Sequence, residues 1–199
     1  MVDTAIPALG DALPLVATDP RWLEVALSEL DTIHADHLHC ERKAAQSALS
    51  LIRSYPERAD LVSAMARLAH DETRHVIQVA ALMSRRGQPA SYDHGDDYAA
   101  ALRAEIRSRE PERLLDRLLV FAIIEGRSAE RLGLLAGALD DPRTQALYAE
   151  LATSEVRHRD TFLALARDAA PAAWRGRAAE LSAIEAGILA GRAPAARIH

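Results

Sequence analysis

The chain has 199 residues, 27% of them charged and 49% hydrophobic, with a formal net charge of −5. That is enough chain for one sizeable core, and the balance excludes a polycation that coats nucleic acid; no run of 18 apolar residues exists to span a membrane. Cys40 is the sole cysteine, which excludes an intrachain disulfide and any cysteine-rich zinc or iron module and fits a reducing, cytoplasmic setting.

Alanine and leucine dominate and aromatics are only 4%, so the chain is expected to be all-α. Residues 1–19 carry Asp3 and Asp11 and lack a basic leader, so they do not read as a signal peptide. Thr18, Asp19 and Pro20 read as cap and first turn of a long helix running to about Ser54. Pro56 opens a second long helix that stops near Arg86, with Gly87 as its terminator. Residues 87–95, with Pro89, are a loop, and 96–109 a shorter helix. Pro111 opens the third long helix. Asp140 and Asp141 before Pro142 end it and cap the fourth, which runs to about Asp168. Pro171 separates a final helix, and the tail 191–199 is expected to fray. The predicted architecture is a single domain over 1–199. It has an N-terminal segment (1–19), a four-helix bundle (20–169) whose crossover segment holds a short helix, and a C-terminal helix and tail (170–199).

The long helices share a seven-residue rhythm with steps of four and three. The first reads Leu23, Leu27, Leu30, His34, His37, Glu41, Ala44, Ala48, Leu51; the second Leu61, Met65, Leu68, Glu72, His75, Val79, Leu82. The third reads Leu114, Leu118, Phe121, Glu125, Ser128, Leu132, Leu135; the fourth Tyr148, Leu151, Glu155, His158, Phe162, Leu165. Such stripes are the buried seam of a bundle. In every helix a glutamate stands mid-stripe where an apolar residue belongs, and two helices add a histidine one turn later. Carboxylates buried without partners would be neutralised or would destabilise the core, so four facing one core require cations.

Spacing brings the intruders level. Two helices joined by a tight turn run antiparallel, so residues equidistant from the turn share a height. Glu41 and Glu72 are equidistant from the turn at Pro56, and Glu125 and Glu155 from Asp140. Glu-x-x-His places both side chains on one helix face. A lone copy is weak, but two copies, each preceded by a level core glutamate, form a duplicated hairpin. This is the pattern of ferritin-like di-iron and di-manganese bundles. The predicted ligands are Glu41, Glu72, His75, Glu125, Glu155 and His158. Four carboxylates and two neutral imidazoles carry four negative charges, which two divalent ions cancel. Oxygen-rich ligation suits two iron ions, with manganese the alternative.

Asp71-Glu72-Thr73-Arg74-His75 resembles the Asp/Glu-Glu-x-Arg-His signature of the oxygen-activating di-iron hydroxylases. The resemblance makes Asp71 and Arg74 outer residues that orient ligands, with Arg157 and the ligand-adjacent His37 alongside them. The second copy, Ser154-Glu155-Val156-Arg157-His158, departs by having serine first. The segments His37-Leu38-His39-Cys40-Glu41-Arg42-Lys43-Ala44-Ala45, Glu110-Pro111-Glu112-Arg113-Leu114-Leu115-Asp116 and Glu125-Gly126-Arg127-Ser128 resemble the bacterial tRNA-(2-methylthio-isopentenyl-adenosine) hydroxylase family over roughly 21–167. The resemblance implies an iron- and dioxygen-dependent monooxygenase that hydroxylates the isopentenyl group of a hypermodified adenosine beside the anticodon of tRNA, with electrons from a separate reductase. The residues alone leave open an iron-handling ferroxidase or peroxidase of the rubrerythrin kind, a manganese catalase, and a bundle that binds metal only for stability; no catalytic group beyond the ligands is assigned.

Lys43 is the only lysine among 24 basic residues. Arg103, Arg107, Arg109, Arg113 and Arg117 make a run which, with Arg85 and Arg86, reads either as a phosphate-contacting face or as a solvated one paired with Glu105, Glu110 and Glu112; Arg109 and Arg113 are the candidates for tRNA contact. Small and polar stripe residues, above all Ser128, are expected to mark an apolar substrate pocket between the first and third long helices, with His37 near its metal end.

Overall fold

The protein is described here over residues 9–199 of a computed structural model, so residues 1–8 of the predicted N-terminal segment lie outside the described residues. Seven α-helices and a short 3-10 turn, Leu9–Ala12, account for the regular structure among the described residues, with no strand. They are α1 (Pro20–Ser28), α2 (Leu30–Ser54), α3 (Ala59–Arg85), α4 (Asp97–Ala104), α5 (Glu112–Ala138), α6 (Pro142–Ala169) and α7 (Trp174–Ala190). No helix among them is long and apolar enough to cross a membrane.

The expected punctuation operates locally. The Asp19 carboxylate accepts from the Arg21 N–H, with Pro20 in the first turn. Asp96 and Asp141 likewise cap α4 and α6 by accepting from Ala99 and Thr144. Gly87 ends α3 at φ +67°, a conformation side-chain-bearing residues rarely adopt, while Gln88 N–H closes back on the Met83 carbonyl at 2.9 Å. Two boundaries differ: the short helix expected over 96–109 ends at Ala104, and the first long helix is not continuous. The first long helix is broken at Glu29, whose φ of −129° leaves the helical region. Neither proline nor glycine marks the break; it lets α1 turn its Trp22 and Ala26 into the core while α2 presents its own stripe.

The chain forms two compact units. One comprises Thr18–Gly95, Ser128–Ser154 and Pro194–His199. Its α2 and α3 form the hairpin the spacing predicts, and its core gathers Trp22, Ile33, Val79, Leu82, Leu132, Leu135, Tyr148 and Leu151. The tail belongs to this core and is not frayed. Ile198 is fully buried, the Trp22 indole N–H donates to the Arg197 carbonyl at 2.9 Å, and Asp36 accepts from the Arg197 guanidinium and the Ile198 N–H. Buried Ala196 and Ile198, with hydrogen bonds to the tail backbone and to the Arg197 side chain, hold a segment whose composition reads as solvent-exposed.

Among the described residues, the other unit comprises residues 9–17, Asp96–Arg127 and Glu155–Ala193. Phe121 and Phe162 pack at 5.5 Å between ring centroids, and Leu118, Leu119, Ile123 and Trp174 are buried in the same unit. Buried Glu185 of α7 accepts from the Tyr98 hydroxyl at 2.9 Å and from the Arg127 guanidinium at 2.8 Å, tying α4, α5 and α7 together. Asp116, also buried, accepts from Arg107 at 2.7 Å and Arg177 at 2.9 Å. Burial raises its carboxyl pKa, but the two guanidiniums outweigh burial and hold it below the ordinary carboxylate range. Arg107 is thereby a structural cation.

Candidate metal centre

Each unit carries one triad. In the first, Glu41 projects from the middle of α2, and Glu72 and His75 stand one turn apart on α3. All three are buried, and each offers a ligand atom within 4.8 Å of the others'. The His75 Nδ1 lies 3.2 Å from Glu41 Oε2 and 3.3 Å from Glu72 Oε2. Burial pushes the Glu41 carboxyl up. Hydrogen bonds with Glu72, His37 and His75 and the His37 charge outweigh it and hold the group well below the usual range. Glu41 is thus kept in the form that binds a cation.

In the second unit, Glu125 comes from α5 and Glu155 and His158 from α6. These too are buried with ligand atoms within 4.8 Å, and His158 Nδ1 lies 3.1 Å from Glu155 Oε2. The internal duplication read from spacing therefore extends to local geometry: in both copies the histidine turns Nδ1 toward the glutamate three residues before it. Carboxylates and imidazoles, with no thiolate among them, are a donor set compatible with iron binding.

The surrounding residues divide. His37 is buried, and its Nε2 lies 2.5 Å from Glu41 Oε1, so it touches a predicted ligand directly. His34, one turn earlier, is a packed core histidine: its Nδ1 meets the Gln88 amide oxygen at 3.2 Å, and its ring stacks near Tyr148. Asp71 is half-buried, 3.6 Å from His70 Nδ1 and 4.0 Å from the Arg74 guanidinium. Arg74 and Arg157 reach solvent. Arg109 is exposed, and Arg113 lies 3.7 Å from Glu110.

Glu125-Gly126-Arg127-Ser128 has a structural role at each position after the glutamate. A Cβ on Gly126 would lie 2.9 Å from a Leu15 methyl, so only glycine admits that contact unshifted. Arg127 pairs with Glu185, and the Ser128 hydroxyl meets His199 Nε2 at 2.7 Å. Ser128 is thus covered by the tail and is not the opening its small size suggested. Two neighbours of the site escaped the sequence reading. Tyr148, placed in the stripe as packing, stacks on His37 at 5.5 Å, and His199 sat in a tail with no periodic signal.

Comparison with known proteins bears on what such a site does. The family model for tRNA-(MS2IO6A)-hydroxylase (MiaE) matches residues 10–199. A tRNA 2-(methylsulfanyl)-N(6)-isopentenyladenosine(37) hydroxylase of Pseudomonas putida is 42% identical over 171 residues, covering 86% of this chain and 83% of that protein. The Salmonella typhimurium protein of the same name is 31% identical over 198 residues, covering 76% and 70%. Among solved structures, a Synechococcus protein with aldehyde deformylating oxygenase activity superposes with a TM-score of 0.88 at 36% identity, covering 93% of this chain and 94% of the other. The fold is the ferritin-like all-α bundle.

Proposed function

The chain belongs to the tRNA-(MS2IO6A)-hydroxylase (MiaE) family, and from that premise we propose that Glu41, Glu72, His75, Glu125, Glu155 and His158 together hold two iron ions at which dioxygen is used to hydroxylate the isopentenyl group of a modified adenosine in tRNA. The protein is an enzyme, a tRNA hydroxylase. The observation that carries the assignment of ligands is the repeated buried triad, a glutamate beside a Glu-x-x-His pair, present once in each unit. Six donors with four negative charges match two divalent cations, and cations relieve the repulsion that four core carboxylates would otherwise bear. This reading takes the chain as one functional domain and places it in the cytoplasm, where tRNA is modified.

When bound, a metal pair would supply dioxygen activation: two electrons from a separate reductase, two protons and the electron pair of the C–H bond reduce dioxygen, so that one oxygen atom becomes the hydroxyl and the other leaves as water. The protein's part is arrangement. Burial of the six donors excludes bulk water from the reacting centre. His37 holds Glu41 Oε1 and so fixes which carboxylate oxygen faces inward; Asp71, Arg74 and Arg157 are assigned the same orienting duty from the outer side. Purified protein given iron, a reductant and isopentenylated tRNA should add one oxygen atom to the modified nucleoside, and isotopically heavy dioxygen should supply it. Label arriving only from water would exclude a monooxygenase.

The acidic net charge leaves tRNA binding to local cations. We assign Arg109 and Arg113 to phosphate contact. Replacing both with alanine should weaken tRNA binding and lower the slope of log affinity against log salt by about one to two, with iron content unchanged. An unchanged slope would make this stretch a solvated face only.

A further inference from the structure

The chain has eight aromatic residues among Phe, Trp and Tyr. Seven are buried: Trp22, Tyr55, Tyr98, Phe121, Tyr148, Phe162 and Trp174. The eighth, Tyr92, is 90% exposed. It stands in the loop after α3, between two anchors. On one side the His39 Nε2–H donates to the Ser91 carbonyl at 2.9 Å. On the other, the Asp93 carboxylate accepts from Arg42 at 2.6 Å and from the Gly95 N–H at 2.9 Å, with Lys43 Nζ 3.5 Å away. The backbone on both sides of Tyr92 is therefore tied to α2 while its ring faces solvent.

His39, Arg42 and Lys43 flank Glu41 in sequence, so the loop crosses the outer side of α2 at the level of a proposed ligand. A helix is about 10 Å across, roughly the rise of three stacked nucleotides. Beside the loop, Arg42 and Lys43 stand two against Asp93, and Asp31 is matched by Arg86 at 3.4 Å, while Asp96 caps α4 and Asp97 is exposed. Arg85 is exposed and makes no ion pair among the described residues. Proteins read single-stranded RNA loops by stacking unpaired bases on aromatic rings beside cations, and Tyr92 is the one exposed Phe, Trp or Tyr ring among the described residues.

We propose that Tyr92 is a stacking platform for an unpaired base of the RNA loop that carries the target adenosine, a base next to the target and not the target itself. The assignment rests on the tRNA hydroxylase reading and adds to it the surface that grips the loop. The ring, not its hydroxyl, does the work, so phenylalanine should replace tyrosine there and alanine should not.

The test uses the iron-loaded protein and an anticodon stem-loop bearing the isopentenyl-adenosine. Tyr92→Ala should bind the stem-loop roughly 5- to 100-fold more weakly, with KM raised, kcat at saturation within about twofold, and melting temperature and iron content unchanged. Tyr92→Phe should behave as the wild type. Wild-type affinity in Tyr92→Ala would overturn the proposal while leaving the hydroxylase reading intact. Equal loss in the phenylalanine variant would also overturn it, because a hydrogen bond would then be the contact. Normal RNA affinity with slowed electron delivery would overturn it in favour of a reductase-docking surface. An iron-loaded wild type that neither binds nor hydroxylates the stem-loop would bring down both readings together.

Discussion

Glu125→Ala and His158→Ala should each cost at least about 100-fold in hydroxylation while leaving a helical protein. Loss of a residue that merely orients a ligand typically costs 10–100-fold in metal affinity or activity, and these two are assigned as ligands themselves. Both stand mid-helix, with Phe121 one turn before Glu125 and Phe162 one turn after His158, and the apolar packing around them is untouched by the substitution. Removing a buried carboxylate also relieves repulsion in the metal-free core, which offsets part of the cavity cost. Iron content, circular dichroism and turnover measured on one preparation separate the outcomes. Full iron content with normal turnover would remove these residues from the ligand set. His37→Ala, which removes only the partner of Glu41, should fall between, retaining more iron than either.

Metal removal should lower the melting temperature, and by more at pH 8 than at pH 6. Metal must displace protons from the carboxylates and imidazoles, so binding releases protons and tightens as pH rises. Without metal, four core carboxylates cannot all remain charged, and some take up protons. Glu41 is an exception the geometry explains: against burial, hydrogen bonds with Glu72, His37 and His75 hold it ionised. A ligand at 100 times its dissociation constant stabilises by about 2.7 kcal/mol. For a chain of this length that is about 5–10 °C in Tm. Calorimetry of chelated and iron-loaded protein checks this, and coincident melting curves would contradict it.

The site was legible where sequence periodicity alone decides. Glu41, Glu72, Glu125 and Glu155 interrupt apolar stripes, and prolines and Gly87 fix the helix ends, so hairpin arithmetic puts each triad at one height before any coordinates are known. What was not legible depends on contacts distant in sequence. Nothing local breaks the first helix at Glu29. The burial of Ile198 requires Trp22 and Asp36, more than 150 residues earlier in the chain. Arg107 looks like its neighbours in the arginine run until it donates to the buried Asp116 carboxylate, which Arg177 also holds. Ser128 illustrates the converse error. A small residue on a seam marks space, but sequence does not say what fills it, and here His199 does.

The most direct test of the account is the metal content of the wild-type protein, purified without added chelator and then reconstituted anaerobically with ferrous iron. If both triads serve one centre, the chain should take up two iron ions, and variants lacking any one of Glu41, Glu72, His75, Glu125, Glu155 or His158 should take up fewer. A single zinc ion per chain, with no uptake of iron or manganese, would contradict it.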